Sequence, residues 1–354
     1  MAEPSQRIRF CRSSDGVRLA YASVGRGPVL IKAATWLNHL EHDWHSPVWR
    51  PMLDALSARL TLVRYDERGC GLSDWQVDDL RFECWVTDLE SVVESVGAER
   101  FALLGISQGA PIAIAYAARH PERVTHLVTH GGYARGRLVR ARGPAEAEEA
   151  ETMAKLAELG WGKSDPAFRQ FFTSQFIPDG TRAEHEAFNE QQRLSTSPHN
   201  AARFMREFST IDVQDLLAQV RCPTLVTHSR HDARVPFDES RLIAAGIQGA
   251  EFVPIDSRNH LLLAGEPGAA PWHQAVLRFL RAESGHALID ALSARQREVL
   301  EYIAQGRDNV QIAAALGLSE KTVRNQVSLV LARLEVDSRA QAILLAREAG
   351  LGAA

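Results

Sequence analysis

The pentapeptide Gly105-Ile106-Ser107-Gln108-Gly109 is the first place where residue types and spacing suggest chemistry. It closes the apolar run Phe101 to Ile106 and precedes a helical pattern from Pro111 to Arg119. Small residues flanking a serine permit a sharp strand-to-helix turn, which exposes the hydroxyl at the C-terminal edge of a sheet. A serine hydroxyl is a weak nucleophile, so it needs a base beside it, and the base needs a carboxylate to orient it. In a strand-and-helix architecture the chain order is serine, acid, histidine. Asp232, in His231-Asp-Ala-Arg-Val-Pro236, follows the run Thr224 to His228, and His260, in Ser257-Arg-Asn-His260, follows the run Glu251 to Ile255. Both lie just past a strand, where side chains from different strands gather at one edge. The chain has 13 histidines, so one convenient histidine means little by itself. Order and strand position together select His260, whereas His39, His42, His45, His228 and His231 read as surface or structural. No group of histidines and carboxylates has metal-ligand spacing, and no cofactor is expected.

Three side chains so far apart in sequence need a sheet to bring them together. Val29 to Ala33, Leu60 to Tyr65, Phe101 to Ile106, Val124 to Thr129 and Thr224 to His228 are near-continuous apolar runs. Such runs suit strands buried on both faces, and helical patterns such as Trp85 to Val96 lie between them. The alternation predicts an α/β fold with a mostly parallel sheet. Ahead of it, Ile8 to Phe10 and Val17 to Ser23 are separated by Ser13-Ser14-Asp15-Gly16, a hairpin signal. From Ala134 to Asp212 the strand signal disappears; Ala145 to Leu159 is rich in Ala and Glu, and aromatics cluster at Phe168, Phe171, Phe172, Phe176, Phe188, Phe204 and Phe208. A helical cap over the sheet at about residues 134–212 is expected, with strands resuming until a final helical stretch from Trp272 to Arg281.

Residues 1–283 thus form one domain, and the polar, glycine-containing stretch Arg281-Ala-Glu-Ser-Gly285 opens a linker placed at 284–290. Beyond it, residues 291–354 are helical throughout. Three helix starts read as capping boxes: Ser293 with Gln296, Asp308 with Gln311, and Ser338 with Gln341. Ser319, after Gly317-Leu318, starts a helix from Glu320 to Leu334 behind a very short turn, which is helix-turn-helix spacing. Ile303, Ile312, Leu316, Leu318, Val323, Val327 and Val330 supply the apolar set that packs it.

Composition agrees with two packed domains: 354 residues exceed one ordinary core, and 45% hydrophobic with 24% charged residues is a globular balance. The formal charge of −4 excludes a global attraction to phosphate, so any nucleic-acid contact must be local. The four cysteines, Cys11, Cys70, Cys84 and Cys222, lack close pairing. Met1 to Arg9 is polar, and no run approaches a membrane span, so a cytoplasmic protein without membrane contact is expected.

Leu292-Ser-Ala-Arg-Gln-Arg-Glu-Val-Leu300, Asn309-Val-Gln-Ile-Ala313 and Leu318-Ser-Glu-Lys-Thr-Val-Arg-Asn325 resemble the LuxR (NarL/FixJ) family of transcription regulators. The likeness implies that the helix from Glu320 enters the major groove of operator DNA with Arg324, Asn325 and Ser328 toward the bases. Lys321 and Thr322, in its first turn, are placed for phosphate. Arg clasps guanine and Asn clasps adenine by paired hydrogen bonds, so the chemistry fits. Gln326 stands where the family usually has His, and Val310 where a basic residue is common, so modest affinity of the isolated domain is expected. The last helix, Ser338 to Ala349, resembles the family's dimerisation element. That implies a homodimer on a two-fold operator and leaves RNA polymerase open as a partner.

With Asp66-Glu-Arg-Gly-Cys-Gly-Leu-Ser73 after an earlier strand, Arg9 to Arg281 resembles the α/β-hydrolase family. The resemblance implies Ser107 as nucleophile, His260 as general base and Asp232 as its partner. An acyl intermediate also needs two backbone amides: Gln108 should give one, and the loop after Val29 to Ala33 the other. There, relatives carry His-Gly or Pro-Gly before a bulky residue, but this chain reads Ala34-Thr35-Trp36, so Trp36 is expected to line a pocket without serving catalysis well. The aromatic cap points to an apolar or aromatic ligand. Two readings stay open: a DNA-binding regulator that senses a small ester- or lactone-like molecule, and a working esterase or lactonase fused to a DNA-binding domain. A phosphorylated receiver domain is disfavoured, because the acidic cluster it needs is missing.

Overall fold

The computed structural model describes residues 5–334 and 336–352. It divides into two compact units, Met1–Gln274 and Ala275–Ala354.

The first unit is built on eight strands: β1 (Arg7–Arg12), β2 (Arg18–Val24), β3 (Val29–Lys32), β4 (Thr61–Tyr65), β5 (Phe101–Ile106), β6 (Val124–His130), β7 (Thr224–Ser229) and β8 (Glu251–Ile255). Their order across the sheet is β1-β2-β4-β3-β5-β6-β7-β8. The pairs β1/β2 and β2/β4 are antiparallel, and every later pair is parallel. The Asp15-Gly16 turn makes the first hairpin, closed by Ser13 N–H to the Val17 carbonyl at 2.9 Å. The central strands bury both faces, as their unbroken apolar sequence requires: every residue of β5 and β7 is buried.

Register decides what this sheet can do. Ile106 lies opposite His130, His130 opposite Thr227, and Ser229 opposite Ile255. The parallel strands β5, β7 and β8 therefore end together, and the segments bearing Ser107, Asp232 and His260 leave from one edge.

The cap is the helices Pro144–Gly160, Ala167–Phe176, Arg182–Ser195 and Pro198–Thr210. An antiparallel bridge between Arg135 and Asp212 closes its base. Of the clustered aromatics, Phe172, Phe176, Phe188 and Phe204 are buried, whereas Phe171 is 46% exposed and packs only edge-on against Phe172.

The stretch read as a linker at 284–290 is helical, because one helix runs from Ala269 to Asp290. Gly285 costs a helix about 1 kcal/mol relative to Ala, which does not stop it in a stretch free of proline.

The second unit packs the helices Ala294–Ala304, Asn309–Leu316, Glu320–Arg333 and Arg339–Glu348 around Leu300, Ile303, Ile312, Val323, Val327 and Val330. Ser293 with Gln296 and Asp308 with Gln311 form complete capping boxes. Ser338 caps its helix, but the Gln341 side chain reaches back to the Asp337 amide at 2.8 Å, one residue earlier than a capping box would. Leu316 and Leu318 pack only partly buried against the core. Gly317, in the left-handed conformation at φ +64°, makes the short turn into the third helix.

Candidate functional site

Ser107 is the one non-glycine residue with positive φ among the described residues, at +52°. The angle is what a sharp strand-to-helix turn demands, and it holds the serine in a strained conformation. Gly105 makes the turn possible: a Cβ there would lie 2.6 Å from the Ala110 Cα. The helix that follows begins at Gly109, two residues before Pro111, because proline is tolerated in a first turn. The Ser107 amide donates to the His130 carbonyl at 2.9 Å, tying the turn to β6.

His260 Nδ1 and Asp232 Oδ2 are 2.6 Å apart with both side chains fully buried. Asp232 Oδ1 accepts from the Arg234 and Val235 amides at 2.7 and 3.0 Å. His228 Nε2 approaches Oδ2 at 3.2 Å, so His228 is a structural support of the acid. Burial alone would raise the Asp232 carboxyl. The His260 charge and the hydrogen bonds from His228 and His260 outweigh it and hold the group well below the usual carboxylate range. With Nδ1 engaged, Nε2 is the His260 nitrogen left to take a proton. It is buried and has no hydrogen-bond partner, Ser107 included, among the described residues. Serine-to-base contacts in empty sites are often loose and tighten only around substrate.

Two supports of His260 were beyond sequence reasoning. Its amide donates to the Phe176 carbonyl at 2.8 Å, and its ring meets the Phe176 ring edge-on, so the end of a cap helix positions it. Gly131, at φ +57°, leaves room for the ring, which a Cβ would approach to 3.0 Å. The Gly131-Gly132 pair after β6 was the available signal.

The oxyanion corner differs from expectation. The Thr35 amide donates to Asn38 Oδ1 at 2.6 Å, and Thr35 does not line the cavity beside Ser107. The Trp36 amide donates to the side-chain oxygen of Gln108 at 2.9 Å. The Gln108 side-chain nitrogen in turn donates to Glu67 at 3.1 Å, and both residues are buried. Burial pushes the Glu67 carboxyl up to about 8 against the opposing hydrogen bond from Gln108. A side-chain carbonyl oxygen of the protein itself thus occupies the amide expected to be the second oxyanion donor. The Gln108 amide carries no partner among the described residues.

A cavity lies beside Ser107 and Gln108. Trp36, Tyr133, Phe176, Met205 and Phe208 supply apolar wall, and Arg137, Arg140 and Arg234 line it as well. Trp36 is fixed by ring contacts to Trp161 at 5.0 Å and Phe208 at 5.5 Å.

In the second unit, Val323, Val327 and Val330 face the core of the helix Glu320–Arg333, which leaves Lys321, Thr322, Arg324, Asn325 and Ser328 exposed on the other side. Arg324 pairs with Glu320 at 2.8 Å, one turn back, and the Ser328 hydroxyl donates to the Arg324 carbonyl at 3.1 Å. Thr322 Oγ1 lies 2.8 Å from Ser319 Oγ. All five predicted residues share one solvent face, at the helix end whose free amides attract an anion.

Among the described residues no histidine, cysteine and carboxylate group could hold a metal, and no helix is long and apolar enough to cross a membrane.

Comparison with known proteins follows the same division. The family model described as alpha/beta hydrolase fold matches residues 37–267, and that of the luxR family of bacterial regulatory proteins matches 290–346. The AB hydrolase superfamily protein YisY of Bacillus subtilis is 25% identical over 264 residues, 71% of this chain and 91% of that protein. Among solved structures, a hydrolase from Pseudomonas aeruginosa superposes with a TM-score of 0.64 at 24% identity, over 77% of this chain and 98% of that one. The enol-lactonase from Burkholderia xenovorans does so with a TM-score of 0.63 at 20% identity, over 77% and 100%. This chain belongs to the alpha/beta hydrolase fold family and carries, after that domain, a DNA-binding domain of the luxR family of bacterial regulators.

Proposed function

We propose that the protein is a one-component transcription regulator whose hydrolase-like domain senses a small, largely apolar ligand bound beside Ser107. The observation that carries this reading is the engaged oxyanion corner: the Trp36 amide already donates to Gln108, beside an otherwise built cavity. A site arranged in this way favours holding a ligand over turning it over, because a missing oxyanion donor costs about a hundredfold or more in rate. The LuxR-type domain supplies the output, as a homodimer on a two-fold operator. Ligand occupancy changes operator affinity, and operator DNA must change ligand affinity by the same factor.

The test is an operator titration at fixed salt with a panel of aromatic esters and lactones. At least one member should shift operator affinity about fivefold or more, the lower end of ordinary coupling. If none does, sensing of a neutral ester or lactone is removed.

The Asp232–His260 pair and the strained Ser107 favour a second reading, an active esterase or lactonase that destroys or generates its own signal. Under that reading the chain releases a chromogenic acyl product and Ser107→Ala abolishes the release. No burst and no turnover in the wild type would end it.

A further inference from the structure

Two arginine side chains line the cavity beside Ser107 without an ion pair among the described residues. Arg140 comes from the segment entering the cap, and Arg234 from the loop after β7 that also carries Asp232. The Arg140 guanidinium makes one hydrogen bond, to the Arg135 carbonyl at 2.7 Å, and lies 5.9 Å from the Tyr133 ring centre. The Arg234 guanidinium makes one, to Gln175 Oε1 at 3.1 Å, and lies 5.3 Å from the Phe176 ring centre. Neither forms an ion pair among the described residues.

The carboxylates nearby are otherwise engaged. Glu149 pairs with Arg137 at 3.2 Å, Glu239 with Arg135 at 2.7 Å, and Asp232 with His260. Glu146, at the mouth, accepts from the Arg142 amide at 2.9 Å. The fully buried arginines of this domain are treated differently: Arg64 pairs with Asp43, Arg68 with Asp88 and Asp15, and Arg169 donates to backbone carbonyls. Burial and the charges of Arg137 and Arg140 lower the Arg234 guanidinium to about 10, which leaves it charged at neutral pH. The charges of Glu239 near Arg140 and Asp232 near Arg234 offset this burial only in part, and an anion between the two forks would relieve both the desolvation and the mutual repulsion.

We propose that the ligand of this site is an organic carboxylate, its head held between Arg140 and Arg234 and its apolar body lying against Trp36 and Phe208. The proposal rests on the reading that the cavity takes a ligand at all, and it refines the class of that ligand. A neutral ester or lactone without an acidic group would leave both cations as they are. The planar fork of a guanidinium matches the two oxygens of a carboxylate. Phosphate, carrying more charge, would be harder to desolvate among these aromatic walls.

The experiment is calorimetric titration of the full chain with 4-phenylbutyrate, 6-phenylhexanoate and 2-naphthylacetate, each beside its primary amide. The amide has the same shape without the charge. At least one carboxylate should bind about tenfold to a hundredfold more tightly than its amide, the range of charge-assisted hydrogen bonds. Arg140→Gln and Arg234→Gln should each reduce that preference, and the double variant should erase it while amide affinity stays within about twofold, which shows that the pocket is intact. Equal affinities in the wild type, a preference that survives in the double variant, or no carboxylate bound at 10 mM, a scale of about 3 kcal/mol, would overturn the proposal. Adding the same compounds to the operator titration separates the two ideas. Carboxylates that bind without moving operator affinity leave the anion site standing and remove sensing. Neutral esters that move operator affinity and outbind the carboxylates do the reverse.

Discussion

Gln108 holds a double position, since its backbone amide is free for an oxyanion while its side chain occupies the amide that should be the second donor. Gln108→Met keeps the length and apolar bulk but cannot accept from Trp36, so that amide becomes available. The expected outcome is a rise of about tenfold or more in the acyl-enzyme burst with 4-nitrophenyl acetate, up to the worth of one oxyanion donor. A burst no larger than that of the wild type would show that the Trp36 amide does not limit the chemistry. Behind Gln108, Glu67 has an ordinary value of 4.5 raised to about 8 by burial. The folded protein therefore holds a proton that the unfolded chain releases, and stability contributed by neutral Glu67 declines as pH rises through that interval. His130 and His39, lowered by burial from 6.5, act in the opposite sense only below about that pH, and Lys32, lowered to about 8, only above that. Between pH 6.5 and 8, Glu67→Gln should gain on the wild type by up to about 2 kcal/mol in unfolding free energy. Denaturant melts at the two pH values measure it, and a constant difference would mean that Glu67 is not the titrating group.

At the scale of elements, the strands and the elbow do most to build the site, and they were also the most legible part. Apolar runs without alternation announce two-sided burial, and a serine between glycines at the end of such a run announces the turn. Asp232 and His260 could be found because each follows a strand whose parallel register ends at the same edge. What stayed hidden depends on contacts between elements distant in sequence: the Phe176 carbonyl on the His260 amide, the Gln108 side chain on the Trp36 amide, and the space at Gly131. No local period encodes these. The helical form of the stretch at 284–290 was hidden for a related reason, since a polar stretch with one glycine resembles a link although nothing in it ends the helix. Gly131 permits a test at this scale. A side chain there would press on the His260 ring and sit at an unfavourable φ of +57°. Gly131→Ala should destabilise the domain by about 1 to 3 kcal/mol and abolish any Ser107-dependent acyl release, because the base is displaced. A variant with full stability and an intact burst would show that the loop yields freely.

For the whole molecule, a net charge of −4 means that DNA is not drawn to the protein as a body. The face proposed for binding is that of Glu320–Arg333, where Lys321 has no acidic partner among the described residues and Arg324 would have to leave Glu320 to reach a base. These two cations have different expected roles, and salt separates them. A phosphate contact by Lys321 releases a condensed counterion, so Lys321→Ala should weaken all sequences alike and flatten the dependence of log affinity on log salt by about one per protomer engaged. A base contact by Arg324 carries sequence information, so Arg324→Ala should cost about 1 to 3 kcal/mol on the operator and relax preference at one position of each half-site. The size of the Lys321→Ala change also reports assembly, because a homodimer on a two-fold operator loses about two counterions where a monomer loses about one. Titrations of operator and scrambled duplex across a salt series decide both points. If Arg324→Ala leaves the operator preference intact, or Lys321→Ala leaves the slope unchanged, the exposed face of this helix is not what reads the DNA.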